Sequence, residues 1–144
     1  MAPQMDPATP IKLSSIRNGG DALLGRKFRI AGRSLSYDPE TQLILLGDRD
    51  ALVLVDVSLC ADPYKGSSWI REDKSIIMAI GYLERSPTPF PIPYVPSHTM
   101  IPRVSVDATL VLRAIIVIEA SDLDLGLWNT AIDERNSYEV AGEL

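Results

Sequence analysis

The sequence predicts an all-β fold, a five-stranded barrel closed by one C-terminal helix, with a long Pro-rich loop between strands four and five. Three observations carry that prediction. Short apolar runs alternate with turn residues through most of the chain, as expected of strands joined in a meander. The period of apolar residues changes once, near residue 120, from two to between three and four. Six of the eleven prolines fall within RSPTPFPIPYVPSHTMIP, residues 85–102, between two strand-like runs.

The elements follow in order. The first ten residues read as a flexible tail, and residues 11–144 as a single domain, since 144 residues suit one core. In GRKFRIAGRSLSY, Phe28 and Ile30 share one parity and Lys27 and Arg29 the other, while Leu35 and Tyr37 switch parity beyond Gly32. One added residue restores the face, so a β-bulge near Gly32 is predicted, with a long bent first strand able to serve two sheets. Asp38-Pro39-Glu40 turns the chain into QLILLGD, and Asp48-Arg49-Asp50 turns it into ALVLVDVSL. CADPYKGSSWIRED is turn-rich, with room for one short helix. SIIMAIGYLE forms the fourth strand, apolar on both faces, with Gly81 a bend.

The fifth strand, VSVDATLVLRAIIVIE, carries Val104, Val106, Ala108, Leu110, Leu112, Ala114, Ile116 and Ile118 on one parity. Its other face begins polar and turns mostly apolar, which suggests an exposed start and a covered end. Then SDLDLGLWNTAIDERNSYE predicts a helix over about 124–139, capped by Asp124 or Asp122. Its stripe is Leu127, Trp128, Ala131, Ile132, Arg135 and Tyr138. Five strands with the first bulged, a gap after the third and a closing helix match the OB-fold, a Greek-key barrel that commonly binds oligonucleotides. Other five-stranded all-β folds share the strand count.

Composition excludes several classes of chemistry. Hydrophobic content of 46% with 23% charged residues is globular rather than disordered. No apolar run approaches the roughly 20 residues of a membrane span, and the N-terminus lacks a signal-peptide core, so a soluble intracellular protein with no membrane partner is expected. One cysteine (Cys60) and one histidine (His98) cannot assemble a zinc site, and His98 lies in the Pro-rich stretch where nothing orients a catalytic base. Cys60 reads as a half-buried structural thiol. No cofactor or metal is expected. Carboxylate pairs such as Glu72/Asp73 and Asp133/Glu134 lack a nucleophile or phosphate loop beside them, which leaves an enzyme reading without machinery.

Charge is uneven. Residues 1–37 hold six basic side chains against two acids, while 119–144 hold seven acids and Arg135 alone. The net charge of −5 opposes broad nucleic-acid binding but permits a basic stripe on one surface. Candidates for single-strand contact are Lys27, Arg29, Arg33 and Tyr37 on the first strand, Arg71 and Lys74 before the fourth, and Arg85 and Arg103 flanking the loop. For each alone, a solvated or, for Tyr37, a core side chain is the simpler reading. The helix stripe is equally open from the residues alone: it either closes its own barrel or buries Trp128 and Tyr138 against a partner.

The series FRIAGRSLSYDPETQLILL, ALVLVDVSL, SIIMAIGYLE and LVLRAIIVIEASDLDLGLWNTAIDERNSYE resembles the Ten-one (Ten1) family, the small OB-fold subunit of the telomere-capping CST complex. The match covers Leu24 to Tyr138 apart from the Pro-rich stretch. Its most telling parts are Gly32, Arg33, Leu35, Tyr37 and Asp38, then Leu125, Leu127, Trp128, Ala131, Ile132, Glu134 and Tyr138. The resemblance implies a non-catalytic subunit at chromosome ends in the nucleus, paired with a larger OB-fold protein, Stn-one (Stn1), and with the larger CST subunit beyond it. It implies pairing helix against helix, through Leu127, Trp128, Ala131, Ile132, Arg135 and Tyr138. Binding of single-stranded telomeric DNA is expected to be weak for this chain alone and tighter for the heterodimer. The alternative is the small subunit of a replication protein A-like complex. The Pro-rich stretch departs from the family and takes no role from it; it reads as an elaborated surface loop with a poorly ordered backbone.

Overall fold

Strand β2 (Lys27–Asp38) is shared by both sides of a closed barrel. Its first half, Lys27 to Arg33, pairs antiparallel with β5 (Ile76–Arg85), and its second half, Arg33 to Asp38, pairs antiparallel with β3 (Leu43–Asp48). β3 continues into β4 (Ala51–Asp56), β4 runs parallel to β6 (Leu110–Glu119), and β6 returns antiparallel to β5. The circuit β2-β3-β4-β6-β5-β2 is therefore closed, with the connectivity of an OB-fold. One C-terminal helix, α2 (Leu125–Gly142), follows. The computed structural model describes residues 7–60, 75–95 and 106–142, with side chains in α2 to Ser137. Arg71, Lys74, His98 and Arg103, together with the turn-rich stretch after Cys60, lie outside the described residues.

Two bulges set which residues face inward. In β2 the register shifts between Ser34 and Ser36, so the predicted bulge sits at Leu35 rather than Gly32. Leu35 consequently joins an outer cluster while Tyr37 packs against the inner one, instead of both facing the same way. In β6 the register shifts opposite Ile80/Gly81, which leaves Ile115 as the extra residue. Leu110, Leu112 and Ala114 face inward before it, and Val117 packs on the inner core after it. Ile116 and Ile118, placed by simple parity with Ala114, are thereby turned outward and are about half exposed, at 49% and 50%. A period-two reading cannot see the flip, because an extra residue inverts every later side chain.

The inner core joins Phe28, Ile30, Ile44, Leu46, Val53, Val55, Ile77, Ala79, Leu83 and Leu112. Leu13 and Ile16 complete it from a short helix, α1 (Leu13–Asn18), that the strand periodicity did not foretell. Before it, β1 (Thr9–Pro10) pairs parallel with Phe28 and Arg29 of β2, so the last two residues assigned to a tail form a strand. A second, outer cluster consists of Leu35, Leu43, Leu45, Leu52, Leu54 and Val111, with Phe90, Val95 and Val106 laid over it. Burying one leucine or valine contributes roughly 1.5–3 kcal/mol, so a layer of six is a major element of stability. The described part of the Pro-rich segment is thus packed on the barrel rather than loose on its surface. Among the described residues no helix is long and apolar enough to cross a membrane.

Candidate partner and nucleic-acid surfaces

Helix α2 begins where Asp124 caps it: the Leu127 amide donates to Asp124 Oδ1 at 3.1 Å, and the Trp128 amide to the Asp124 carbonyl at 2.9 Å. Its inward residues are Leu125, Asn129 and Ile132, spaced four and three apart and all buried. Asn129 Nδ2 donates to Asp48 Oδ2 at 2.7 Å, and Lys12 Nζ pairs with Asp133 Oδ1 at 2.6 Å, fixing the helix to β3 and to the approach to α1. The predicted stripe is therefore divided. Ile132, 3% exposed, serves the chain's own fold. Leu127 is 68% exposed, and Ala131, one turn on, is exposed beside it, as is Arg135. Trp128 lies between the two faces, half-buried, with its indole N–H buried and lacking an acceptor. The side chain of Tyr138 is outside the described residues.

A second apolar surface adjoins the end of β6. Ile116 pairs with Ile80 and Ile118 with Met78, and both isoleucines face out, with Ile115 at the bulge 37% exposed. Sequence reading expected this end to be covered. The only signal for its outward turn was Gly81, whose missing side chain permits the irregular pairing.

The cationic candidates among the described residues differ in their surroundings. Arg33 is exposed at the point where β2 passes from β5 to β3. Arg29 is half-buried, and its Nε is buried without an acceptor. Lys27 is half-buried, and Tyr37 packs on the inner core. Arg85 is committed to a local clamp: Nε pairs with Asp21 at 3.0 Å, and Nη1 with Asp107 at 3.2 Å and with the Thr109 hydroxyl at 2.8 Å. The hydrogen bond to Asp107 raises the Arg85 pKa further. Asp107 in turn is held below the usual carboxylate range, first by the Thr109 hydroxyl and amide and then by Arg85. Arg113 pairs with Glu84 at 3.2 Å.

Sequence reading also missed a cleft of about 560 Å³ between α1, the β3–β4 turn and α2. Lys12, Arg17 and Arg49 face Asp48, Asp50 and Asp133 around it, so the opposed charges leave no strong field of either sign. Among the described residues no group of three or more His, Cys, Asp or Glu side chains is placed to hold a metal ion. The Cys60 thiol donates to the Ala114 carbonyl at 3.2 Å, and burial, with Asp56 adding to it, pushes its pKa up.

No family model matches the chain, and no curated protein matches it in sequence. Solved structures do resemble it in fold. A chain of the S. pombe Stn1–Ten1 complex superposes with a TM-score of 0.62 at 17% identity, over 93% of this chain and 96% of that one. The telomere-capping protein Ten1 of S. pombe gives 0.59 at 17% identity, over 91% and 99%. Replication protein A of U. maydis, bound to single-stranded DNA, gives 0.55 at 14% identity, over 94% of each chain.

Proposed function

We propose that this chain is a non-catalytic telomere-capping subunit that pairs with a Stn1-like OB-fold protein and, within that pair, helps hold single-stranded telomeric DNA for end protection and length regulation. The observation that carries the proposal is the division of α2. A helix serving only its own barrel buries one stripe and leaves a polar back; this one buries Leu125 and Ile132 and still presents Leu127 and Ala131 to solvent. A partner helix supplies an apolar counterface to Leu127 and Ala131. The likeness in fold to a chain of the Stn1–Ten1 complex and to Ten1 itself supports this partner class. The proposal includes a nuclear site of action at chromosome ends and the larger CST subunit as a further partner.

Co-purification tests the pairing. A Stn1-like protein is expected to be retained by the unaltered chain and lost, by about tenfold or more in affinity, on Leu127→Arg with Ala131→Arg. Retention by that double variant would remove α2 from the interface. Because both positions are exposed, the variant's own melting temperature is expected to hold, which separates lost pairing from lost folding.

The likeness to replication protein A supports a second reading, the small subunit of a general single-strand-binding complex. Mixing the chain with both partners in competition distinguishes the two. Preference for the middle subunit of replication protein A would displace the telomere assignment.

A further inference from the structure

We propose that the ligand face of this barrel is a peptide face filled by the chain's own Pro-rich segment, and that single-stranded nucleic acid does not bind across it. OB-folds take oligonucleotides on the outer surface of their second and third barrel strands, bordered by the loop between strands four and five. Here those strands are β3 and β4. Their outer surface is Leu43, Leu45, Leu52 and Leu54, flanked by Leu35 and Val111, and every one of these is buried.

What buries them is the bordering loop itself. Phe90 and Val95 pack on the cluster from one arm and Val106 from the other. The Phe90 amide donates to the Ala108 carbonyl at 2.8 Å, the Ser86 amide donates to the Thr109 carbonyl at 2.7 Å, and the Ser36 hydroxyl of β2 donates to the Tyr94 carbonyl. Along this strap Phe90 and Val95 turn inward, with Pro93 buried between them. Phe90 is half-buried and Pro93 buried, whereas Pro91, Ile92 and Tyr94 are exposed. A proline-rich segment outside helix and sheet has no internal ladder and leaves its backbone groups free to bond a host surface. The strap therefore sits on β3–β4 as a bound extended peptide sits in its groove.

The covered face also lacks what nucleic acid needs. Bases need aromatic platforms and phosphates need cations, and its six residues are five leucines and a valine. At the root of the strap Arg85 is matched by Asp21 and Asp107, so its charge is balanced there among the described residues. Lifting the strap would bare leucine to water, not open a nucleic-acid site. The strap is a fixed occupant rather than a gate. DNA contact by this chain is thereby directed away from β3–β4, to exposed cations such as Arg33 or to a partner.

Amide NMR on the full chain, titrated with oligothymidylate and with a G-rich telomere-repeat strand, reads the face without any substitution. Leu43–Leu46 and Leu52–Val55 are expected not to shift. Phe90→Ala, or the milder Val95→Ala should the first fail to fold, is expected to lower the melting temperature by several degrees and leave oligonucleotide affinity within about twofold. Shifts on β3–β4 would overturn the proposal. So would a gain in affinity of about tenfold in the variant, which would make the strap a gate over a nucleic-acid site, or an unchanged melting temperature in both variants, which would mean that the strap does not pack. These outcomes are independent of the pairing with a Stn1-like protein, which is read by co-purification.

Discussion

Gly81 shows how much one missing side chain decides in this barrel. A Cβ there would stand 2.1 Å from the Arg113 carbonyl oxygen and 2.7 Å from the Ala114 Cα, both backbone atoms that cannot rotate away. The close approach is what allows β5 and β6 to shift register at Ile80/Gly81 and turn Ile116 and Ile118 outward. Gly81→Ala is expected to destabilise the chain by roughly 3 kcal/mol, the upper range for overpacking, as measured by urea unfolding. A change under about 1 kcal/mol would mean the strands separate there at little cost. Cys60 makes the opposite point, that a lone thiol in such a fold is structural. Its raised pKa means less thiolate at any pH below that value, so alkylation by iodoacetamide at pH 8 is expected to be slower than for a free cysteine peptide. Faster alkylation would contradict the buried, carbonyl-bonded geometry.

At the scale of elements, the strap and its clamp bear the next prediction. Asp107 has a depressed pKa, so the stability it lends is fully present above the ordinary carboxylate value near 4 and is lost as pH falls through its lower folded value. Arg85 stays charged throughout. Thr109→Ala removes the hydroxyl, the largest cause of the depression, and is expected to move the Asp107 titration toward the ordinary value in carboxyl-detected NMR. The accompanying loss of stability is expected to stay below about 1 kcal/mol, because the clamp is open to solvent. An unmoved titration would assign the depression to Arg85 instead.

The same elements mark what the sequence let one read. Short apolar runs in QLILLGD and ALVLVDVSL, bounded by turn residues, disclosed the strands, and Asp38 and Asp48 disclosed the turns. The parity break after Gly32 disclosed a bulge near that residue, and Leu35, three residues on, carries it. The bulge at Ile115 was hidden, since Ala114, Ile115 and Ile116 are all apolar and offer no parity to break. β3 and β4 are apolar on both faces, but nothing in their own residues shows that the prolines cover one side. A packing partner more than thirty residues away leaves no periodic trace. For α2, spacing revealed the helix and its cap, while the split between Ile132 and Leu127 depends on where the helix lands on the barrel.

For the molecule as a whole, closure of the barrel depends on residues that precede its first barrel strand. The first half of β2 has β5 on one side, and its other edge is met at Phe28 and Arg29 by β1, with the Ile11 amide donating to the Arg29 carbonyl at 3.1 Å. An edge left bare there would offer unpaired backbone to other chains. The chain then turns through α1, whose Leu13 and Ile16 are 2% and 1% exposed and belong to the same core as Phe28, Ile44 and Val53. The segment from Thr9 to Asn18 is therefore part of the fold and not a leader to it. If so, Ile16→Ala should cost about 2–5 kcal/mol, as for an interior aliphatic side chain, while Ser14→Ala on the exposed side of the same helix should stay within about 0.5 kcal/mol. Urea unfolding of the two variants decides the matter. Equal, small effects would return α1 to the surface, whereas the expected contrast makes this short helix the plug that a closed five-stranded barrel needs at one end.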